Sequence, residues 1–442
     1  MELEEKIFNA GVVGAGGAGF PTHIKAKSKV EYVCVNGAEC EPLIHKDYEL
    51  MIHFAPEIIK GVNLMLEKVN AKKAYFGIKA KNTEAIESIE KNYTNGKIET
   101  TLLGDFYPSG DEYELVYAAT KRLIPPHGLP LDVGCVVNNV ETFYNISKAD
   151  EGLPVTEKFI CVAGAVNNPS TFFVPIGTSI QEVLDFAGGA SVKNFGIFVS
   201  GILMGKLTFD LSEVITKTTA GIIVLPSDHY LIQRMQRPIH DMNRIGKSAC
   251  DQCSYCTEFC PRYLLGYDVQ PHKVMRSLVF TTSGEAVWNQ YADLCCSCGL
   301  CTLYACPEDL YPREACNQGK EYMRKANIKY EQPKPVKVHP MKEGRRVPLK
   351  MLMKKLNILQ YDKHTPFRKD RPEPNSVKIL TKQHTGSPCN PIVKKGDLVN
   401  KGDLIAEVEN GKLGAKIHAS ISGTISHVND EFIIIDKEIS KK

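Results

Sequence analysis

Long apolar runs are missing from this 442-residue chain: none approaches the roughly 18 consecutive residues that a helix needs to cross a bilayer, so no transmembrane segment is expected. An excess of one charge is missing too. The 54 Lys and Arg nearly balance the 51 Asp and Glu, a net charge of +3, which carries no electrostatic footprint of a nucleic-acid binder. The first residues, MELEEKIFNAG, lack the apolar core of a secretory signal. Low-complexity tracts are absent. What remains is an ordinary globular composition, long enough for three or four domains.

Cysteine, in contrast, is plentiful, with 15 in all. Cys250, Cys253, Cys256 and Cys260, followed by Pro261, form C-x2-C-x2-C-x3-C-P. Cys295, Cys298, Cys301 and Cys306, followed by Pro307, form C-x2-C-x2-C-x4-C-P. Thiolates so spaced wrap cubane iron–sulfur clusters, and the pair is the signature of a two-cluster ferredoxin module that moves single electrons. In such modules the fourth Cys of each motif ligates the other cluster. Cys250, Cys253, Cys256 and Cys306 are thus expected to hold one [4Fe–4S] cluster, and Cys295, Cys298, Cys301 and Cys260 the second. Zinc also takes four thiolates but favours two C-x2-C knuckles per ion. Cys295 is preferred over its neighbour Cys296 because it keeps the x2 step to Cys298. Cys316, Cys34, Cys135 and Cys161 read as small buried hydrophobes. Iron–sulfur chemistry requires a reducing compartment, so a cytoplasmic location, low in oxygen, is expected.

Residues 1–150 alternate strand-like runs (Tyr32–Asn36, Ala74–Ile78, Thr100–Leu103, Cys135–Val137) with helical ones such as Ile52–Val69, the pattern of a layered α/β domain. Residues 151–229 are short β-branched or aromatic runs with one helix at Ser179–Phe186, predicting a small β-grasp domain. Residues 230–330 read as helical and carry the cluster cysteines. Residues 331–375 form a Pro- and Lys/Arg-rich connector, predicted to be a solvated linker. Residues 376–442 return to short strands around KKGDLVNKGDLIAEV, the register of a barrel-sandwich hybrid. The fold expected is therefore multidomain α/β with helical and all-β appendages.

Gly14-Ala15-Gly16-Gly17-Ala18-Gly19-Phe20-Pro21-Thr22 is a loop whose backbone N–H groups can approach a phosphate. On its own it could equally be a tight turn. Three more segments, Asn36–Pro42, Tyr107–Glu112 and Val137–Thr142, follow strands and place amides and carboxylates where α/β sheets bind ligands. Each is also compatible with turn and cap chemistry. Adjacent Asn side chains suit the donor and acceptor edge of an isoalloxazine, and the four segments together favour a flavin.

These four segments with the eight cysteines resemble the RnfC-like family of NADH-linked flavin and iron–sulfur proteins, over about residues 1–325. The family includes the peripheral subunit of Rnf complexes and the cobalamin reductases of propanediol utilisation, and it is related to the flavin subunit of respiratory complex I. The likeness implies FMN, two [4Fe–4S] clusters, NADH as substrate and an SLBB-type β-grasp domain. Gly14, Gly16, Gly17, Gly19 and Lys25 would hold the FMN phosphate. Asn36, Glu39, Tyr107, Gly110, Asp111, Asn138, Asn139, Glu141 and Thr142 would form the rest of the cofactor site. Phe20 would face the nicotinamide nucleotide, with Glu41 and Glu112 as candidate catalytic residues. Complex I carries Asp where this chain has Ala38 and Arg where it has Ala15, so the implied flavin site is of the Rnf type.

The C-terminal position of the barrel matches the cobalamin-reductase order. Cys389, in the Gly/Ser/Pro loop His384–Cys389, reads as exposed, and a lone exposed Cys is usually incidental; electron-transfer proteins associated with amino-acid reductases also resemble this chain and use a thiol there, which leaves a redox role as an alternative to partner docking. Lys412 reads as a solvated hairpin lysine rather than a carrier attachment site. The implied activity is NADH oxidation with electrons passed to a redox partner protein or a corrinoid. Alternatives are reversed flow in a ferredoxin:NAD complex subunit and a non-enzymatic relay fed by a partner flavoprotein. A homo-oligomer, a bacterial microcompartment or the periphery of a membrane complex are compatible settings.

Overall fold

The computed structural model describes residues 1–93, 96–279 and 289–437. The first domain is built on four parallel strands, β1 (Tyr32–Gly37), β2 (Lys73–Lys79), β3 (Ile98–Leu103) and, later in the chain, β5 (Cys135–Asn139), in the order β3-β2-β1-β5. A short strand, β4 (Phe106–Tyr107), lies outside this sheet. Helices cover both faces, so β1 reads as a continuous apolar run, YVCVN. On one face α4 (Ala55–Lys68) and α7 (Val140–Asp150) pack around Val33, Val35, Ile58, Val62 and Phe143. On the other, α6 (Glu112–Thr120) closes over Cys34, Leu115 and Cys135.

The helical run expected at Ile52–Val69 is two helices, α3 (Lys46–His53) and α4, broken at Phe54. Phe54 turns its ring into a cluster with Tyr144, Phe159, Phe173 and Phe367, four partners from other segments.

The second unit is a five-stranded sheet, order β7-β6-β10-β8-β9, from β6 (Glu157–Gly164), β7 (Ser170–Pro175), β8 (Phe195–Val199), β9 (Lys206–Thr208) and β10 (Gly221–Pro226). Its helix, α8 (Ile180–Phe186), starts on a capping box in which Ser179 and Glu182 satisfy each other's backbone N–H groups. Helices then frame the cluster cysteines, among them the short Tyr255–Glu258 and Pro261–Leu264 and the longer Pro312–Lys325.

The connector is not a solvated linker. Val347–Pro348 pairs antiparallel with β4, and Val347, Leu349, Leu352, Met353, Leu356 and Ile358 are buried. Lys342 is 3% exposed and pairs with Glu114, Arg346 lies 4.4 Å over the Phe106 ring, and the Phe367 N–H donates to Glu49 Oε2 at 2.9 Å. A basic composition reads as solvated only when the charges lack buried partners, and here α6 and α3 supply them. Residues 331–375 are a strap laid across the first domain and the β-grasp unit, whose Phe198, Ile223 and Leu225 share a core with Leu352 and Met353.

The C-terminal barrel packs a four-stranded sheet, with Ser376–Leu380 and Phe432–Asp436 among its strands, against a three-stranded one around Ile379, Ile405, Ala419, Ile425 and Ile433. Cys389 belongs to that core. It is 2% exposed and its thiol donates to Ala415 O at 3.1 Å, so the expected exposed thiol is corrected to a buried one, and burial pushes it up to about 11.

Candidate flavin and iron–sulfur site

Because β1 and β5 are parallel neighbours, Asn36, Asn138 and Asn139 emerge at the same sheet edge. Asn139 caps α7, its Oδ1 accepting from the Glu141 N–H at 3.0 Å, and its Nδ2 donates to Asp47 Oδ2 at 2.7 Å. Asp111 caps α6 through the N–H groups of Tyr113 and Glu114. Asn36 Nδ2 donates to Gly110 O at 2.8 Å, tying two of the strand-end segments together. A Cβ on Gly110 would meet Ala38 O at 2.9 Å, so this close approach requires glycine.

The glycine loop is closed at its neck by Gly14 N–H to Phe20 O, 2.9 Å, and a bridge between Val13 and Pro21. Gly17 has φ +105° with open space where a Cβ would stand. Beneath it the Ala15 N–H donates to Thr142 Oγ1 at 3.0 Å, and Ala15 O accepts from Lys158 Nζ at 3.2 Å. Glu141, 2% exposed, is taken up by Lys158, Lys46 and the Phe159 N–H. Glu141 and Thr142 thus hold the loop from below. Lys158, Lys46 and Asp47 belong to the same network, and sequence reading did not single them out.

Lys25 Nζ donates to Val137 O at 2.6 Å, sits 5.9 Å from the Phe20 ring centre and faces Glu112. Burial lowers the Lys25 ammonium and raises Glu112. Glu39 accepts the Asp47 N–H at 3.1 Å, and burial together with the Asp47 charge pushes it up to about 8. Glu41 reaches away into the β-grasp unit and accepts the N–H groups of Ile202, Leu203 and Met204 at 3.1, 3.1 and 2.8 Å. Burial raises it to about 7.

Asn138 is the fit test for a flavin. It is 4% exposed, yet neither side-chain atom has a hydrogen-bond partner. A buried amide without partners is costly, and a heterocycle presenting alternating donors and acceptors would satisfy it. Together with the open Gly17 and the half-buried Lys25, the donor set fits FMN.

Cys250, Cys253, Cys256 and Cys306 line one small cavity. Cys253 is exposed, and the other three are intermediate or buried. Cys260, Cys295, Cys298 and Cys301 gather more deeply, with Cys260 near Cys295 and Cys298 near Cys301. Among the described residues no three His, Cys, Asp or Glu side chains surround a single ion point. The first set shares one cavity, the second gathers with Cys296 among its members, and the thiol chemistry of both suits iron–sulfur clusters. Cys296 lies against Cys298, and Cys295 against the buried Cys316. Tyr107 Oη donates to Cys298 O at 2.7 Å, joining a strand-end segment to the second motif. Arg262 does the same from the other side, its Nη2 donating to Asp111 Oδ2 at 2.9 Å. The basic residue directly after Cys260-Pro261 was the only sequence signal for that link.

Four family models match segments of the chain. Residues 7–148 match the Nuo51 FMN-binding domain, 159–194 the SLBB domain, 249–311 a 4Fe–4S dicluster domain and 360–440 the RnfC barrel sandwich hybrid domain. The cobalamin reductase PduS of Salmonella typhimurium is 38% identical over 438 residues, covering 98% of this chain and 96% of that protein. A component of the Na(+)-translocating ferredoxin:NAD(+) oxidoreductase complex of Acetobacterium woodii is 34% identical over 269 residues, 59% of this chain and 58% of that one. Among solved structures, an NAD+-reducing [NiFe]-hydrogenase in the H2-reduced state aligns with a TM-score of 0.49 at 20% identity, covering 76% of this chain and 63% of that one.

Proposed function

This chain belongs to the family of the cobalamin reductase PduS, flavin and iron–sulfur electron-transfer proteins akin to RnfC, and on that premise we propose that it oxidises NADH and delivers the electrons to a corrinoid. The observation that carries this reading is the 2.7 Å hydrogen bond from Tyr107 to Cys298 O, because it sets the flavin-lining segment directly on the loop of the second thiol set. When bound, FMN supplies the conversion between hydride and single-electron chemistry, and the clusters supply single-electron carriage.

The amides of Gly16 and Gly17 and the ammonium of Lys25 would bind the phosphate, while Gly14 and Gly19 shape the loop, their N–H groups donating to Phe20 O and Gly14 O. Asn36, Gly110, Asp111, Asn138 and Asn139 orient the ring, with Asn138 offering it both a donor and an acceptor. Glu39, held up to about 8, keeps a proton at the same edge near neutrality. Phe20 and Glu112 receive the nicotinamide nucleotide, and Glu41 holds the β-grasp loop 202–204 against that side. Cys253, the exposed member of the first thiol set, marks the face where electrons leave. A corrinoid is favoured as acceptor because the relatives matched end to end are named cobalamin reductases. A protein acceptor would place the chain in a complex. Among the described residues no helix is long and apolar enough to cross a membrane, and a cytoplasmic setting is proposed.

Anaerobic mixing with NADH, followed at flavin wavelengths, tests the reading. Rapid bleaching is expected, slowed in Glu112→Gln without loss of flavin. An unbleached flavin would point instead to a relay fed by another flavoprotein.

A further inference from the structure

Arg262 follows Cys260-Pro261 in the first turn of the helix Pro261–Leu264. It is 7% exposed, a buried cation in the wall between the flavin-lining segments and the second thiol set. One edge of its guanidinium is fully used: Nη2 donates to Asp111 Oδ2 at 2.9 Å, and the plane lies 3.5 Å over the Tyr113 ring, with Tyr267 at 5.9 Å. The other edge is not. Nε and Nη1 make no well-formed hydrogen bond, and the sulfurs beside the guanidinium are the thiols of Cys296, the nearer, and Cys295. Arginine presents its donors in a rigid fork, so anchoring Nη2 on Asp111 and stacking on Tyr113 fixes where the remaining N–H groups point. A buried charge with idle donors needs an acceptor, and an electron-rich sulfur cluster at this place is one.

We propose that Nε and Nη1 of Arg262 hydrogen-bond sulfur of the cluster held by Cys260, Cys295, Cys298 and Cys301, while Nη2 stays on Asp111. Arg262 then tunes that cluster: a positive charge and hydrogen bonds to sulfur both stabilise the reduced form and raise its potential. The same guanidinium touches the flavin side through Asp111, so the step from flavin to cluster is set by one residue. This rests on the two-cluster reading above.

The direct test uses wild-type protein labelled with guanidino-15N arginine. Pulsed EPR of the singly reduced second cluster should show a 15N hyperfine coupling, and its absence would overturn the proposal. Redox titration of Arg262→Met should lower the one-electron reduction constant of the second cluster by about tenfold, about 59 mV, with the first cluster unmoved. Arg262→Lys, which keeps the charge and loses the fork, should recover part of that. Unchanged potentials in a fully loaded Arg262→Met protein, or equal shifts in both clusters, would contradict it. Iron analysis separates the two failures: a wild-type chain without eight irons sinks the cluster reading, whereas a loaded chain without coupling sinks only the role of Arg262.

Discussion

Thr385, at the edge of the C-terminal barrel, donates its N–H to Gly19 O at 3.0 Å and its hydroxyl to Ala18 O at 2.7 Å. A Cβ on Gly19 would meet Thr218 Cγ2 at 2.9 Å and His384 Cα at 3.2 Å. Lys217 bridges the same seam, Nζ donating to Gly11 O and Lys416 O, both at 2.7 Å. The barrel therefore buttresses the glycine loop. Thr385→Val should weaken FMN retention by roughly fivefold, the loss of about 1 kcal/mol for one hydrogen bond. Deleting residues 376–442 should weaken it further. Flavin fluorescence on release, against iron content as an internal reference, measures both. Full retention in the truncated chain would show that the seam has no bearing on the flavin.

Gly17→Val should yield protein without flavin that still carries its iron. The φ of +105° is strained for a β-branched residue, and its side chain would stand where backbone must approach phosphate. Flavin released by acid and iron assayed on the same sample check it. Retained flavin would reduce the loop to a turn.

The strap gives a stability test. Lys342 pairs with Glu114, both less than 9% exposed, and Arg346 is the other cation on that carboxylate, at 3.0 Å. Lys342→Met should destabilise the fold by about 3 kcal/mol, the low end for breaking a buried pair. Chemical denaturation under anaerobic conditions reads this directly. A cost near zero would place the strap off the domain in solution.

Glu39 predicts a pH dependence. Its carboxyl is raised from 4.5 to about 8 in the fold, so between these values the folded chain holds a proton that the unfolded chain has released. Stability should therefore fall as pH rises from about 4.5 to about 8, and Glu39→Gln should flatten that slope. Denaturation midpoints across the range decide it. An unchanged slope in the variant would assign the dependence to other groups.

Legibility in the sequence followed the range of the interaction that settles each feature. Cluster spacing is local, and the first thiol set lines a single cavity. Ser179, read as the start of a helix, is its cap because the partner Glu182 is three residues away. The strap was illegible because its charge partner lies 228 residues distant in α6. Cys389 looked exposed among Gly, Ser and Pro, and only closure of the barrel on Ala415 buries it. The break at Phe54 is likewise a tertiary effect, since the apolar period runs through it while the ring leaves for the cluster around Phe159 and Phe367. Of the site, the strand-end amides were legible as motifs. The supports beneath them, Lys158 and Lys46 against Glu141, were not, because burial of lysine has no sequence signature.

In the proposed function, one chain takes electrons from NADH and spreads them over two clusters. Freeze-quench EPR of the purified, iron-counted protein after anaerobic mixing with NADH tests it most directly. About eight irons per chain are expected, with reduced-cluster signals that follow flavin bleaching and are lost in the Gly17→Val protein. A bleached flavin with both clusters silent, or cluster reduction by NADH in the flavin-free variant, would contradict it.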